Sequence, residues 1–164
     1  MIGGEITDFE ITRAASEDIP QVRELFLEYA RSLGFDLCFQ DFDGELADLP
    51  GKYAEPDGCL LVVKRGNEAC GCVALRKLGD QICEMKRLYV KPGFRKHGLG
   101  KELIERVINE AKQRGYKFMR LDTLATMQSA IKLYKAYGFY EIPAYTFNPI
   151  PDAVYLELRL QDRG

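Results

Sequence analysis

The sequence predicts a mixed α/β fold: one central, mostly antiparallel sheet with helices on both faces. Three observations carry this. Three strand-like runs follow one another between Cys59 and Val90, joined by tight turns. A long amphipathic helical pattern starts abruptly at Leu99. Short strands and a second late helix then alternate to the C-terminal end, so both kinds of element must share one core.

Ile6 to Thr12 reads as a short strand, with Ile6, Phe9 and Ile11 apolar. Ser16 followed by Glu17 and Asp18 predicts a helix start, a hydroxyl cap and then acids at the positive end of the dipole. Ile19, Val22, Phe26, Tyr29, Ala30 and Leu33 recur at helical spacing until Gly34. Asp41 to Leu49 suggests a short second helix, ended by Pro50-Gly51. The strand block comprises Cys59 to Val63, Cys70 to Leu78 and Ile82 to Val90, with turns at 65–68 and Gly79-Asp80. Pro92-Gly93 ends it.

Leu99, Leu103, Ile104, Val107, Ile108 and Ala111 line one face of the next helix. Its other face carries charges, with Glu102 and Arg106 at pairing distance, and Gly115 caps it. Phe118 to Leu121 is a strand reached by a crossover. A helix from about Met127 to Tyr137 stops at Gly138, and strands near Tyr140 to Ile142 and Ala153 to Leu160 flank a proline-bearing stretch.

At 164 residues and 18.7 kDa the chain has the length of one domain, taken here as residues 1–164 with a core over about 12–160. Apolar residues make up 46% and charged residues 29%, which excludes wholesale disorder. The formal charge is −2, against the excess positive charge of a dedicated nucleic-acid binder. No run approaches the roughly 20 apolar residues that span a bilayer. The first ten residues hold Glu5, Asp8 and Glu10 and no apolar stretch, so a cytoplasmic protein without a membrane partner is expected. Cys38, Cys59, Cys70, Cys72 and Cys83 are odd in number, and four lie in apolar strand-like runs. Cys70-Gly-Cys72 lacks zinc-knuckle spacing and the only histidine, His97, is distant, so reduced buried thiols and no metal are expected.

The most informative run is Glu84-Met-Lys-Arg-Leu-Tyr-Val-Lys-Pro-Gly-Phe-Arg-Lys-His-Gly-Leu-Gly-Lys101. A strand ends, a basic loop follows and a long helix begins. Gly98 and Gly100 leave the backbone unblocked, so consecutive amides at the helix N-terminus can face one anion. Arg95, Lys96, His97 and Lys101 add positive charge, and a pyrophosphate-bearing ligand is the expectation. Gly93 and Gly98 have Walker A spacing, but Leu99-Gly100 stands where Lys-Ser/Thr is needed. Gly98-Leu-Gly100 opens like a dinucleotide fingerprint and Asp122 falls near a ribose-binding position. Leu103, however, replaces the third glycine and the preceding strands are antiparallel, which disfavours NAD.

Arg95-Lys-His-Gly98-Leu-Gly100 resembles the Arg/Gln-x-x-Gly-x-Gly/Ala loop of the GNAT superfamily of acetyl-CoA-dependent N-acetyltransferases. Ala130-Ile-Lys-Leu-Tyr134-Lys-Ala-Tyr-Gly138-Phe139 is similar to that family's second signature, and the element order matches from about Thr12 to Leu160. One departure is Met127, where many relatives carry Asn. The resemblance implies an acyltransferase that moves acetyl from acetyl-CoA, with no metal, to a primary amine, probed first among small molecules, by direct attack in a ternary complex. It implies that the loop Arg95, Lys96, His97, Gly98, Leu99, Gly100 and Lys101 holds the pyrophosphate. The main chain of Leu88, Tyr89 and Val90 would bind the pantetheine arm, the Leu88 amide polarising the thioester carbonyl.

In relatives that use one, a glutamate near the start of the fourth strand accepts the amine proton. Glu84 matches it, and burial between Cys83 and Met85 is expected to raise its pKa toward a useful value. Tyr134 falls on the family tyrosine that protonates the departing thiolate, a phenol with an ordinary pKa near 10. Tyr137 is expected to pack. Neither His97 nor a cysteine suits catalysis, since Glu84 beside Cys83 opposes a thiolate. Phe39, Gln40, Tyr145, Phe147 and Asn148 are acceptor-pocket candidates, stacking on substrate or covering the sheet edge. The alternative is a non-catalytic CoA-binding sensor, which would need neither Glu84 nor Tyr134. The resemblance leaves a homodimer open, and no residue marks its interface.

Overall fold

The strand block that dominates the sequence forms the middle of a seven-stranded sheet in the computed structural model, which describes residues 8–34 and 41–160. The strands are β1 (Phe9–Arg13), β2 (Cys59–Arg65), β3 (Glu68–Gly79), β4 (Ile82–Val90), β5 (Phe118–Leu124), β6 (Tyr140–Ile142) and β7 (Ala153–Arg159). Their order is β1-β2-β3-β4-β5-β7-β6, antiparallel throughout except for the parallel pair β4 and β5. The helices are α1 (Ile19–Leu33), α2 (Phe42–Asp48), α3 (Leu99–Gln113) and α4 (Gln128–Ala136).

β2 reads as a continuous apolar run because both of its faces are covered. Leu61 and Val63 join a core with Leu103, Ile104 and Val107 of α3 and Met119, Leu121 and Leu156 of the sheet. Leu60 and Val62 face the other way, into a core built with Val22, Leu25 and Phe26 of α1 and Phe42 and Leu46 of α2. Cys59, Cys70, Cys72 and Cys83 are buried free thiols. Burial pushes Cys59 up to about 11 and Cys83 up to about 12, so these thiols stay protonated at neutral pH.

Two local expectations differ from the structure. Ser16 opens a short 3-10 turn and is no cap; the carboxylate of Asp18 takes the capping role, accepting from the Ala15 N–H (2.8 Å) and from Lys64 Nζ (2.9 Å). Arg106 does not pair with Glu102 but reaches the Ile11 carbonyl, because β1 passes beside α3. The i,i+4 pair of α3 is Glu110 with Arg114 (2.6 Å), extended by Arg13 (3.1 Å).

The feature that positions the site is a divergence of two central strands. β5 pairs with β4 only over Ile82, Cys83 and Glu84, while it pairs with β7 along its whole length. Beyond Glu84, β4 therefore has no strand partner on its β5 side among the described residues. β4 also carries a bulge: its register with β3 shifts between Lys86 opposite Ala74 and Tyr89 opposite Cys72, with Arg87 at φ 61°. A left-handed arginine is costly in isolation. Here the bulge turns the guanidinium into the α2 core, where Nε and Nη2 bind the two Glu45 oxygens at 2.9 and 2.8 Å. Both side chains are almost wholly buried, 2% and 4% exposed, and Phe42 and Tyr29 flank the guanidinium.

Candidate active site

The divergence opens a cleft. One wall is Met85, Lys86, Arg87 and Leu88 of β4; the other is Leu121, Asp122, Thr123 and Leu124 of β5. Tyr134 of α4 closes the floor, Tyr29 and Leu33 of α1 form one rim, and Met127, Asn148 and Ile150 form the other.

Tyr134 is buried against Phe139, with 5.6 Å between ring centroids. Its hydroxyl has no hydrogen-bond partner among the described residues. Burial, with lesser contributions from Tyr29 and Asp122, pushes its pKa well above the ordinary phenol value. It is a neutral O–H donor at any physiological pH. Tyr137, by contrast, is half-buried against the core and donates to Glu105 Oε2 at 2.6 Å.

Glu84 departs from the sequence-based expectation. It is 2% exposed and does not line the cleft. Oε1 accepts from Arg76 Nε at 2.8 Å and Oε2 from the Tyr145 hydroxyl at 2.6 Å. Burial alone would raise its pKa, but the Lys86 charge, the Tyr145 hydrogen bond and Arg76 outweigh it and hold the carboxyl below its ordinary range. The carboxylate is thus locked and weakly basic. Its partners, eight and 61 residues away, do not show in the local sequence.

This locking sets an acid limit on stability. The native pKa values of Glu84 and Glu45 lie below the ordinary 4.5. Their contribution is complete above that value and is lost as pH falls through the depressed native values. Thermal midpoints should be level from pH 7 to about 5 and drop below about 4.5. Glu84→Gln should show a shallower drop; parallel curves for the two proteins would refute a stabilising role for the Glu84 pairing.

The carboxylate that reaches the cleft is Asp122. It lies opposite Tyr155 of β7, and its Oδ2 accepts from Asn148 Nδ2 at 3.2 Å. Asn148 is itself held by the Ile150 N–H, which donates to its Oδ1 at 2.9 Å. The alternation on β5, polar Arg120 and Asp122 between buried Met119 and Leu121, is the sequence signal that could have marked it.

Of the other acceptor-pocket candidates, Tyr145 packs edge-on against Tyr155 and under Arg120 beside Glu84. Phe147 is 78% exposed and outside the cleft. Phe39 and Gln40 lie outside the described residues.

The basic loop forms a 3-10 turn, Pro92–His97, leading into α3. Gly98 caps α3 at φ +73°, a left-handed conformation that favours glycine. No side chain caps α3, and its first intrahelical bond is donated by Glu102 to the Gly98 carbonyl. The amides of Leu99, Gly100 and Lys101 precede that bond. A Cβ built at Gly98 or Gly100 meets nothing within 4 Å, so the backbone is uncrowded on that side of each glycine. That donor set fits a diphosphate. The Leu99 side chain is buried in the core, leaving only its main chain for a ligand. Arg95 folds back, Nε donating to the Val90 carbonyl at 2.8 Å, and His97 packs at a tilt against Phe9, ring centroids 5.0 Å apart. The side of β4 that faces away from β3, from Met85 to Val90, offers the main chain for an added extended segment.

Among the described residues no group of three or more His, Cys, Asp or Glu could hold a metal, and no helix is long and apolar enough to cross a membrane.

The model of the acetyltransferase (GNAT) family matches residues 19–139. An uncharacterized N-acetyltransferase of Schizosaccharomyces pombe is 42% identical over 146 residues, covering 88% of this chain and 90% of that protein. Among solved structures, a GNAT-family acetyltransferase from Staphylococcus aureus Mu50 superposes with a TM-score of 0.78 at 21% identity, over 93% of this chain and 99% of that one. The PaiA N-acetyltransferase of Thermoplasma acidophilum, in complex with coenzyme A, reaches 0.72 at 16% identity, over 93% and 99%.

Proposed function

The chain belongs to the GNAT acetyltransferase family and is an acetyl-CoA-dependent acetyltransferase, and from that premise we propose that it acetylates the primary amine of a small molecule by direct attack in a ternary complex. The observation that carries the reading is the divergence of β4 from β5, which sets unpaired β4 main chain beside the Tyr134 hydroxyl and the Asp122 carboxylate in one cleft. The coenzyme A complex of the Thermoplasma acidophilum protein supports the same carrier here.

The amides of Leu99, Gly100 and Lys101 hold the diphosphate, with Arg95, Lys96, His97 and Lys101 supplying positive charge around it. Main-chain groups of Leu88, Tyr89 and Val90 align the pantetheine arm, and the Leu88 amide, released from regular pairing by the bulge, donates to the thioester oxygen. Bound acetyl-CoA supplies the acyl group.

A free alkylamine has a pKa of about 10, so it arrives protonated. Asp122 binds the ammonium and accepts its proton. The nitrogen lone pair then forms the C–N bond, the C–S bond breaks, and the departing sulfur takes a proton from Tyr134. The acylated nitrogen gives its surplus proton to the Tyr134 phenolate, leaving a neutral amide, while Asp122 releases the first proton to solvent. Glu84 serves as a positioning residue that fixes Tyr145 and Arg76 under the cleft.

Calorimetric titration with acetyl-CoA, followed by thiol release over a panel of small amines, tests the reading. It expects saturable binding and turnover of at least one amine; binding without turnover of any amine would overturn it. Tyr134→Phe should lower kcat by about 10²-fold or more while leaving acetyl-CoA affinity intact. An unchanged kcat would remove its acid role.

A further inference from the structure

We propose that the acceptor is a zwitterion, an amine bearing its own carboxylate, seated with its carboxylate on Lys86 and its ammonium on Asp122. This rests on the amine acetylation proposed above and names its substrate class. Three charged residues, Lys86, Arg87 and Asp122, line the cleft. Two of them are already bonded. Arg87 is engaged by both oxygens of Glu45, and Asp122 Oδ2 accepts from the Asn148 amide.

Lys86 differs. It is partly buried, and among the described residues it has neither a hydrogen bond nor an ion pair. The nearest carboxylate on its own strand, Glu84, is spent on Arg76 and Tyr145. Lys86 and Asp122 feel each other's charge across the cleft but form no ion pair with one another. Burial, and Arg87 beside it, push Lys86 below the ordinary lysine range, while Glu84 and Asp122 pull it back. Glu84 and Asp122 supply negative charge nearby but no direct contact, so the ammonium is withdrawn from water without a bonded partner, and a ligand carboxylate reduces that cost. Asp122 complements it, for its neutral amide partner leaves its negative charge without a direct ion pair among the described residues. One cation and one anion facing a common cleft match a molecule of opposite polarity at its two ends.

The same layout argues against other amines. A polyamine would bring a second cation toward Lys86. A protein lysine or N-terminus would place a neutral peptide group there. The apolar rim of Tyr29, Leu33, Met127 and Ile150 suits the hydrocarbon portion of an amino acid.

The test uses the intact enzyme with saturating acetyl-CoA and reads thiol release. The panel contains α-, β- and γ-amino acids, their carboxamides and the corresponding decarboxylated amines. The free acid of the best series should exceed its carboxamide in kcat/KM by about 10- to 10²-fold, chiefly through KM. Lys86→Met should collapse that ratio toward one while retaining carboxamide turnover, and Lys86→Arg should restore most of it. Equal turnover of acid and carboxamide by the wild-type enzyme would overturn the proposal. So would a preference that survives Lys86→Met, or turnover confined to decarboxylated amines or lysine peptides. In those cases amine acetylation itself still stands. Acetyl-CoA binding with no amine acetylated removes both.

Discussion

Asp122→Asn should lower kcat by roughly 10²- to 10⁴-fold and raise KM for the amine. The substitution is nearly isosteric, and the side-chain oxygen retained at this position can still accept from Asn148 Nδ2, the 3.2 Å bond of the wild type. What disappears is the negative charge that attracts the ammonium and the basic site that takes its proton. Acetyl-CoA affinity should be unchanged, because the proposed coenzyme contacts come from β4 main chain and the α3 N-terminus. Raising the pH, which frees an amine of pKa about 10 from its proton in solution, should recover part of the lost rate. A variant with wild-type kcat would exclude Asp122 as proton acceptor and return the role to solvent.

Glu45→Ala should destabilise the protein by about 3–5 kcal/mol, a large share of a typical domain's stability. The change strips the almost wholly buried Arg87 guanidinium of both its carboxylate bonds, 2.9 and 2.8 Å, and removes the acceptor of the Tyr53 hydroxyl (2.9 Å). Arg87 sits at φ 61°, and the pair supplies the attraction that offsets this conformation. Loss of Glu45 should therefore also release the β4 bulge, and residual activity should fall beyond what the unfolded fraction explains. Chemical denaturation and thiol-release kinetics on the folded fraction check the two effects. A loss under about 1 kcal/mol would show that the pair neither stabilises the fold nor holds the bulge.

How much of this was legible in the sequence depends on the range of the physics. The sequence predicts β4 over Ile82 to Val90 and α3 from Leu99, and both match, because alternation and a glycine-marked start are local. The pattern predicts β5 three residues short, since Asp122 and Thr123 interrupt its apolar run where it enters the cleft. The loop proposed to hold the coenzyme shows in the sequence as a motif because Gly98, Gly100 and the basic residues lie within one short run, and the structure places it at the α3 N-terminus. The state of Glu84 does not show there. Its neighbours Cys83 and Met85 imply burial and a raised pKa, whereas the Lys86 charge two residues on, together with Tyr145 and Arg76 brought in by the 143–151 loop and β3, reverses the sign. The bulge at Arg87 is equally hidden from the sequence, because the partner of its guanidinium, Glu45, is 42 residues away on α2.

In the proposed reading the unpaired margin of β4 and the uncapped start of α3 bind the acyl donor through peptide groups, which every residue but proline can offer as donors. Apart from the left-handed Gly98, side-chain replacement there leaves the pattern of donors intact, so that half of the site is insulated from mutational drift. The opposite half depends on a handful of replaceable tips at positions 86, 122 and 148. New acceptors can therefore be sampled by exchanging those tips while the donor machinery is inherited unchanged.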